Sequence, residues 1–230
     1  LYRGRLGGNG RMSWSNIASR RKGDSIHPDL HHLAFDPSDP AVLLACSDGG
    51  LFRSPDRGGS WASLNPGLAI TEFEFIAHHA AGSPASLMGG TQDNGTLELR
   101  GAGEWEQVGL GDGGDCAIAD ATGGTVQYHS YYYMSLERRP LGGGRWSDVT
   151  PTPVRANGNA YDDGTPYPCL FYPPMDAFGD AVAQAGHTLF VSADRGENWT
   201  EIRLPGLAAE DMASTLAFAS ETLVVLGTVN

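Results

Sequence analysis

Lysine is almost missing from this sequence: Lys22 stands alone, and with fourteen arginines it faces 27 acidic residues, for a formal charge of −12. That balance argues against a general nucleic-acid or anionic-membrane binder, which needs a basic face. Long apolar runs are missing too. The longest are stretches such as Ala41–Cys46, far short of the roughly 20 residues of a membrane helix. Cysteine is scarce: Cys46, Cys116 and Cys169 lie far apart with no CxxC spacing. This excludes a zinc ribbon or a disulfide framework and leaves at most one disulfide and one free thiol. The chain opens at Leu1 with neither an initiator Met nor a signal peptide, and reads as a processed or excised segment.

What the sequence does hold is turns and aromatics. Gly and Pro together make one residue in five, which leaves little room for long helices. A hydrophobic fraction of 40% suffices for a packed core. The tryptophans fall at Trp14, Trp61, Trp105, Trp146 and Trp199, spaced 47, 44, 41 and 53 residues apart, each shortly after a Gly-rich turn. A pitch of about 46 residues predicts four-stranded β-propeller blades. Apolar stretches repeat between the tryptophans in sets of three: 32–35, 42–46 and 51–54; 73–77, 86–90 and 96–99; 116–119, 125–129 and 133–137; 169–172, 181–185 and 188–192. Each set is followed by a hairpin turn and a fourth strand carrying the Trp. The expected fold class is therefore all-β.

Two turns are sharper than the rest. Residues 54–61 and 192–199 both read S-x-D-x-G-x-x-W, through Ser54, Asp56, Gly58 and Trp61, and through Ser192, Asp194, Gly196 and Trp199. A carboxylate accepting turn amides, a Gly at positive φ and a sealing Trp make a specialised hairpin. The motif resembles the Asp-box of the BNR-repeat β-propellers, a superfamily with sialidases, xyloglucanases and sortilin-like receptors. The resemblance implies a structural role for the Asp-box itself, at the rim of the blades. Neither an Arg-Ile-Pro sequence nor a trio of arginines on the loops supports a sialidase.

The C-terminal stretch supplies two apolar strands, and Leu1-Tyr2-Arg3 parallels Leu51-Phe52-Arg53 as a third. The favoured reading is a single propeller domain over 1–230 closed through its termini into five blades, spanning about 214–230 plus 1–20, 26–64, 70–109, 113–150 and 165–203. The alternative is part of a propeller of six to eight blades.

Loops between blades, and loops between second and third strands, open on one face of a propeller. These hold His27 to His32, Asn65 to Thr71, Gly111 to Asp115, Asp162 to Gly164, Ser47 to Gly50 and Thr91 to Gly95. Candidate ligand-binding residues are His27, Asp29, His31, Gln92, Asp93, Asn94 and Asp115. His27, Asp29 and His31 alternate along what reads as one extended segment and are candidate divalent-cation ligands; no other cofactor is indicated. Tyr128, Tyr131, Tyr132 and Tyr133 read as sheet packing, with a sugar-stacking platform as the alternative. The expected function is a binding propeller that recognises a glycan, peptide or partner protein at an acidic mouth. Its ligand should be neutral or cationic, with nucleic acid and membrane excluded as partners, and its location exported or extracellular. One alternative is a glycoside hydrolase: Ser47-Asp48-Gly49-Gly50 and Gly111-Asp112-Gly113-Gly114 are similar to the acidic turns of xyloglucanases, implying catalytic roles for Asp48 and Asp112. The other is a scaffold or assembly factor.

Overall fold

The computed structural model describes residues 1–18, 25–79, 86–101, 103–151, 167–206, 208 and 211–229. Among them no helix occurs, and all regular structure is antiparallel strand. The residues divide into two compact units, Leu1–Thr71 and Glu72–Asn230. In the first, β1 (Tyr2–Leu6) and β2 (Met12–Asn16) form a two-stranded sheet. There β3 (Leu30–Phe35), β4 (Leu43–Ser47), β5 (Gly50–Ser54) and β6 (Ala62–Ser63) also form a four-stranded meander in chain order.

The second unit holds three such meanders. The first comprises β7 (Phe75–His79), β8 (Ser86–Thr91), β9 (Gly95–Arg100) and β10 (Glu104–Gly109); the second comprises β11 (Cys116–Ala121), β12 (Gly124–Ser130), β13 (Leu136–Pro140) and β14 (Ser147–Asp148). The third comprises β15 (Met175–Phe178), β16 (Ala181–Ala185), β17 (Thr188–Ser192) and β18 (Thr200–Arg203), and a two-stranded sheet follows of β19 (Met212–Ser220) and β20 (Leu223–Val229). Four consecutive antiparallel strands, the fourth largely exposed, are the blades of a β-propeller.

Two expected strands are displaced. The first strand of the 165–203 blade is Met175–Phe178 rather than 169–172. Pro168, Pro173 and Pro174 bracket the apolar run Cys169–Tyr172, turn-forming residues that leave only four residues between them, and the run is a loop. The third strand expected from Tyr133 begins at Leu136, because Tyr133 takes a left-handed φ of 59° and leaves the sheet. Tyr128 alone of the four tyrosines packs in the core, with Ala117, Leu136, Val149, Met175 and Val182.

Both Asp-boxes are built alike. The Ser54 hydroxyl donates to Asp56 Oδ1 at 2.9 Å and accepts the Gly58 amide at 2.7 Å, while the Ser60 amide and hydroxyl close on the two Asp56 oxygens. In the second, Ser192 serves Asp194 at 2.7 Å and the Gly196 amide at 2.8 Å, and Asn198 closes on Asp194 through its amide and side chain. Gly58 and Gly196 have φ of 82° and 90°, and a Cβ on either would press into the preceding blade: 2.4 Å from Ile17 Cδ1 and 2.9 Å from Val149 Cβ. The same residues receive the tryptophans. Trp61 Nε1 donates to the Ile17 carbonyl at 2.7 Å and Trp199 Nε1 to the Val149 carbonyl at 2.9 Å. Trp146, whose turn has lost the Asp, keeps the same bond, to the Val108 carbonyl at 2.8 Å. An arginine of the preceding blade completes each Asp-box contact: Arg3 and Arg138 donate to the carbonyls of Arg57 and Arg195.

Candidate functional site

In the first unit the segment before β3 lies against the β4–β5 turn. The Asp48 amide donates to the Asp29 carbonyl at 3.3 Å, and Asn65 ties the turn down by giving its side-chain amide to the Gly49 carbonyl at 2.6 Å and accepting the Leu51 amide at 2.8 Å. His31 Nε2 meets an Asp48 carboxylate oxygen. The hydrogen bond and charge of Asp48, with a smaller contribution from Asp29, raise the His31 pKa. The alternating segment expected of His27, Asp29 and His31 does not form. Asp29 sits at a left-handed φ of 54° and the β3–β4 register slips between Leu30 and His32, so His31 is the extra residue of a bulge. His27 lies over Gly49, with Nδ1 3.2 Å from the Pro28 carbonyl.

In the second unit the β8–β9 turn and the link from β10 to β11 are pressed together. Gly95 and Asp112 form a bridge, and the Gly113 amide donates to the Thr91 carbonyl at 2.9 Å. Only Gly fits there, since a Cβ on Gly113 would lie 2.3 Å from the Gly95 carbonyl oxygen. This packing sets Asp112 beside the turn that carries Gln92, Asp93 and Asn94. The turn is held by the Asn94 amide on the Gln92 carbonyl at 2.8 Å and by Gln107 Nε2 on the Asn94 carbonyl at 2.9 Å. The Asp162 to Gly164 loop lies outside the described residues.

Asp115 turns away from this surface. Its carboxylate accepts the Cys116 amide at 2.9 Å and the Met175 amide at 3.0 Å, joining the starts of β11 and β15. Burial pushes its pKa up to about 6, with the charge of Asp176 a minor contributor. Burial in a low-dielectric surrounding disfavours the charged carboxylate and outweighs the two amide hydrogen bonds that favour it.

The sequence offered Tyr131, Tyr132 and Tyr133 as sheet packing or, alternatively, a stacking platform, and did not foresee their meeting with Phe171 and Tyr172. The β12–β13 loop presents Tyr131, Tyr132 and Tyr133, and the loop before β15 presents Phe171 and Tyr172. The Tyr133 amide donates to the Phe171 carbonyl at 2.7 Å and joins the two loops. Tyr132 stacks on Phe171 (centroids 5.6 Å apart, planes at 23°). Tyr133 stands nearly perpendicular to both, at 77° to Tyr132 and 80° to Phe171. Tyr131 packs on Tyr132 at 4.0 Å and Tyr172 on Phe171 at 4.7 Å. Yet Tyr132, Tyr133 and Phe171 remain 36%, 44% and 43% exposed. The Tyr172 hydroxyl donates to Asp112 Oδ2 at 3.2 Å, which attaches the aromatic cluster to the acidic loops. Burial and the charges of Asp112, Glu74 and Asp93 all raise the Tyr172 pKa. Two signals pointed here. Three consecutive tyrosines cannot all face one side of a strand, and flanking prolines disqualify a central strand.

A second unforeseen cluster is buried between the β7–β10 and β11–β14 blades. Glu98, 3% exposed, accepts Arg139 at 2.8 Å, Gln127 at 2.7 Å and Arg100 at 2.7 Å. Arg139 also donates to Gln127 at 2.9 Å and lies 4.3 Å over the Trp146 ring. His129 bridges Thr96 at 2.8 Å and Glu137 at 3.1 Å. Every strong polar group there meets a partner, as a structural clamp requires.

The family profile described as BNR-Asp box repeat matches residues 189–202, the hairpin built on Asp194. The chain carries a BNR-Asp box repeat. No curated protein matches the sequence. Among solved structures, the chain is similar to U3-55K at 12% identity and a TM-score of 0.41, covering 80% of this chain and 53% of that one. It is similar to a GH74 enzyme of Niastella koreensis at 14% identity and a TM-score of 0.40, covering 74% of this chain and 29% of that one. It is also similar to YCF48 of Cyanidioschyzon merolae at 12% identity and a TM-score of 0.40, covering 91% of this chain and 74% of that one. The chain thus spans about half the length of U3-55K and less than a third of the GH74 enzyme.

Proposed function

We propose that this chain is a binding module whose ligand, neutral or cationic, sits on the loops of the 72–230 unit that carry the aromatic cluster and Asp112. The observation that carries the reading is the exposed, mutually packed set of Tyr132, Tyr133 and Phe171, joined through Tyr172 to Asp112. Rings already ordered by one another lose little freedom on binding, so their apolar area is available to a ligand at small entropic cost. The acidic loops and the net charge of −12 disfavour anions. Hydrolysis is the weaker reading. Asp48 is engaged by His31 and Asp112 by Tyr172, and the carboxyl with a raised pKa, Asp115, spends its oxygens on backbone amides.

A panel of neutral oligosaccharides and of acidic, neutral and basic peptides, screened by calorimetry, tests the proposal. Tyr132→Ala should weaken whatever binds by about tenfold, the order expected for one stacked ring, with the chain still folded at the assay temperature. Ligands indifferent to Tyr132→Ala would refute it and favour a scaffold that engages partners on another surface.

A further inference from the structure

We infer that the corner formed by Tyr132, Tyr133 and Phe171 beside Asp112 receives the cationic side chain of an arginine-bearing partner peptide, an inference that rests on the binding reading above. The geometry is that of two walls. Tyr132 and Phe171 stack 5.6 Å apart, too close for a planar guanidinium to enter between them, and Tyr131 and Tyr172 pack on their other sides, so the cation must lie against the ring area of Tyr132, Tyr133 and Phe171 that stays exposed. Tyr133, at 77° and 80° to that pair, supplies the second wall. Ring faces are the negative ends of aromatic quadrupoles and attract guanidinium groups most strongly where water is partly excluded. Tyr133 is also held at a left-handed φ of 59°, a conformation a bulky residue adopts only where its surroundings impose it.

Among the described residues, the charges that act on the Tyr172 hydroxyl are acidic. Asp112 touches Tyr172, and the charges of Glu74 and Asp93 also act on that hydroxyl. A polypeptide arginine answers both features at once, its plane to the rings and its charge to the carboxylates.

The test uses the whole chain with a short arginine–glycine peptide and the same peptide bearing citrulline, a neutral isostere, at each arginine. The arginine peptide should bind at least about tenfold more tightly than its citrulline form, an order expected for one desolvated cation on a ring face. Its affinity should fall with added salt. Asp112→Asn, which keeps an acceptor for Tyr172, should weaken the arginine peptide and reduce the salt dependence. Phe171→Leu retains apolar volume while removing the ring face, and should weaken the arginine peptide selectively; Tyr133→Ser provides a second reading if Phe171→Leu unfolds. Equal binding of the arginine and citrulline peptides overturns the inference. A neutral oligosaccharide that binds, is lost in Tyr132→Ala and ignores Asp112→Asn overturns it while leaving the binding proposal standing. An arginine peptide unaffected by any aromatic substitution overturns both.

Discussion

The two Asp-box carboxylates and Asp115 are chemically alike and placed in opposite circumstances. Asp194 accepts hydrogen bonds from Asn198 and Ser192, which pull its pKa down to about 2. Asp194→Ala should therefore lower stability by about 1–3 kcal/mol in urea denaturation, from lost charge-assisted hydrogen bonds, and leave ligand affinity unchanged. Because the folded pKa lies below the ordinary 3.8, this contribution is present above pH 4 and lost as pH falls toward 2. Asp115, at about 6, works the other way. Its folded pKa exceeds the unfolded one, so its contribution is fully present below the ordinary 3.8 and is lost as pH rises through 6. Wild type should gain stability between pH 7 and pH 5, and Asp115→Asn should flatten that rise. His31, raised by Asp48, acts in the same direction, so the difference between variant and wild type is the quantity to measure.

Among elements, the strands were the most legible part of the chain. Ala181–Ala185 and Thr188–Ser192 are strands over the same residues as their apolar stretches, since their turns are made by Gly and Asp and their faces are buried. The 169–172 run defeated the same reasoning because apolar character marks burial or binding alike, and its prolines outweighed its composition. Contacts between blades were not legible. Glu98 and Arg139 are 41 residues apart, and nothing local announces that Arg139 will end over the Trp146 ring. Glu98→Met alone should cost about 3–5 kcal/mol by leaving Arg139 buried without its carboxylate. Glu98→Met combined with Arg139→Met should recover only part of that loss, because buried Gln127 then loses both side-chain partners, and a double-mutant cycle measures the coupling. Trp199→Phe, which removes the donor to Val149 and leaves its carbonyl unsatisfied, should cost about 1–3 kcal/mol by thermal denaturation.

Across the whole molecule, burial is uneven within each unit. In the 72–230 unit β16 is buried at all five positions, while β18 is exposed at all four. Hydrogen exchange should therefore be slowest in β16 and fast in β18; equal protection along that blade would mean its core does not act as one cooperative unit. The candidate site was half legible. The acidic loops announced themselves through Asp-Gly and Asn-Gly turns, but the aromatic corner depends on a tertiary meeting of two loops about 40 residues apart in sequence. The indole bonds carry one more consequence. In each the acceptor precedes the donor, Ile17 before Trp61, Val108 before Trp146 and Val149 before Trp199, by 44, 38 and 50 residues. A ribosome therefore delivers each of these three carbonyls before the ring that will cap it, and the blade carrying that ring finds its docking edge already waiting. Assembly acquires a direction from the order of synthesis, and a chain stalled between blades exposes one uncapped edge instead of many.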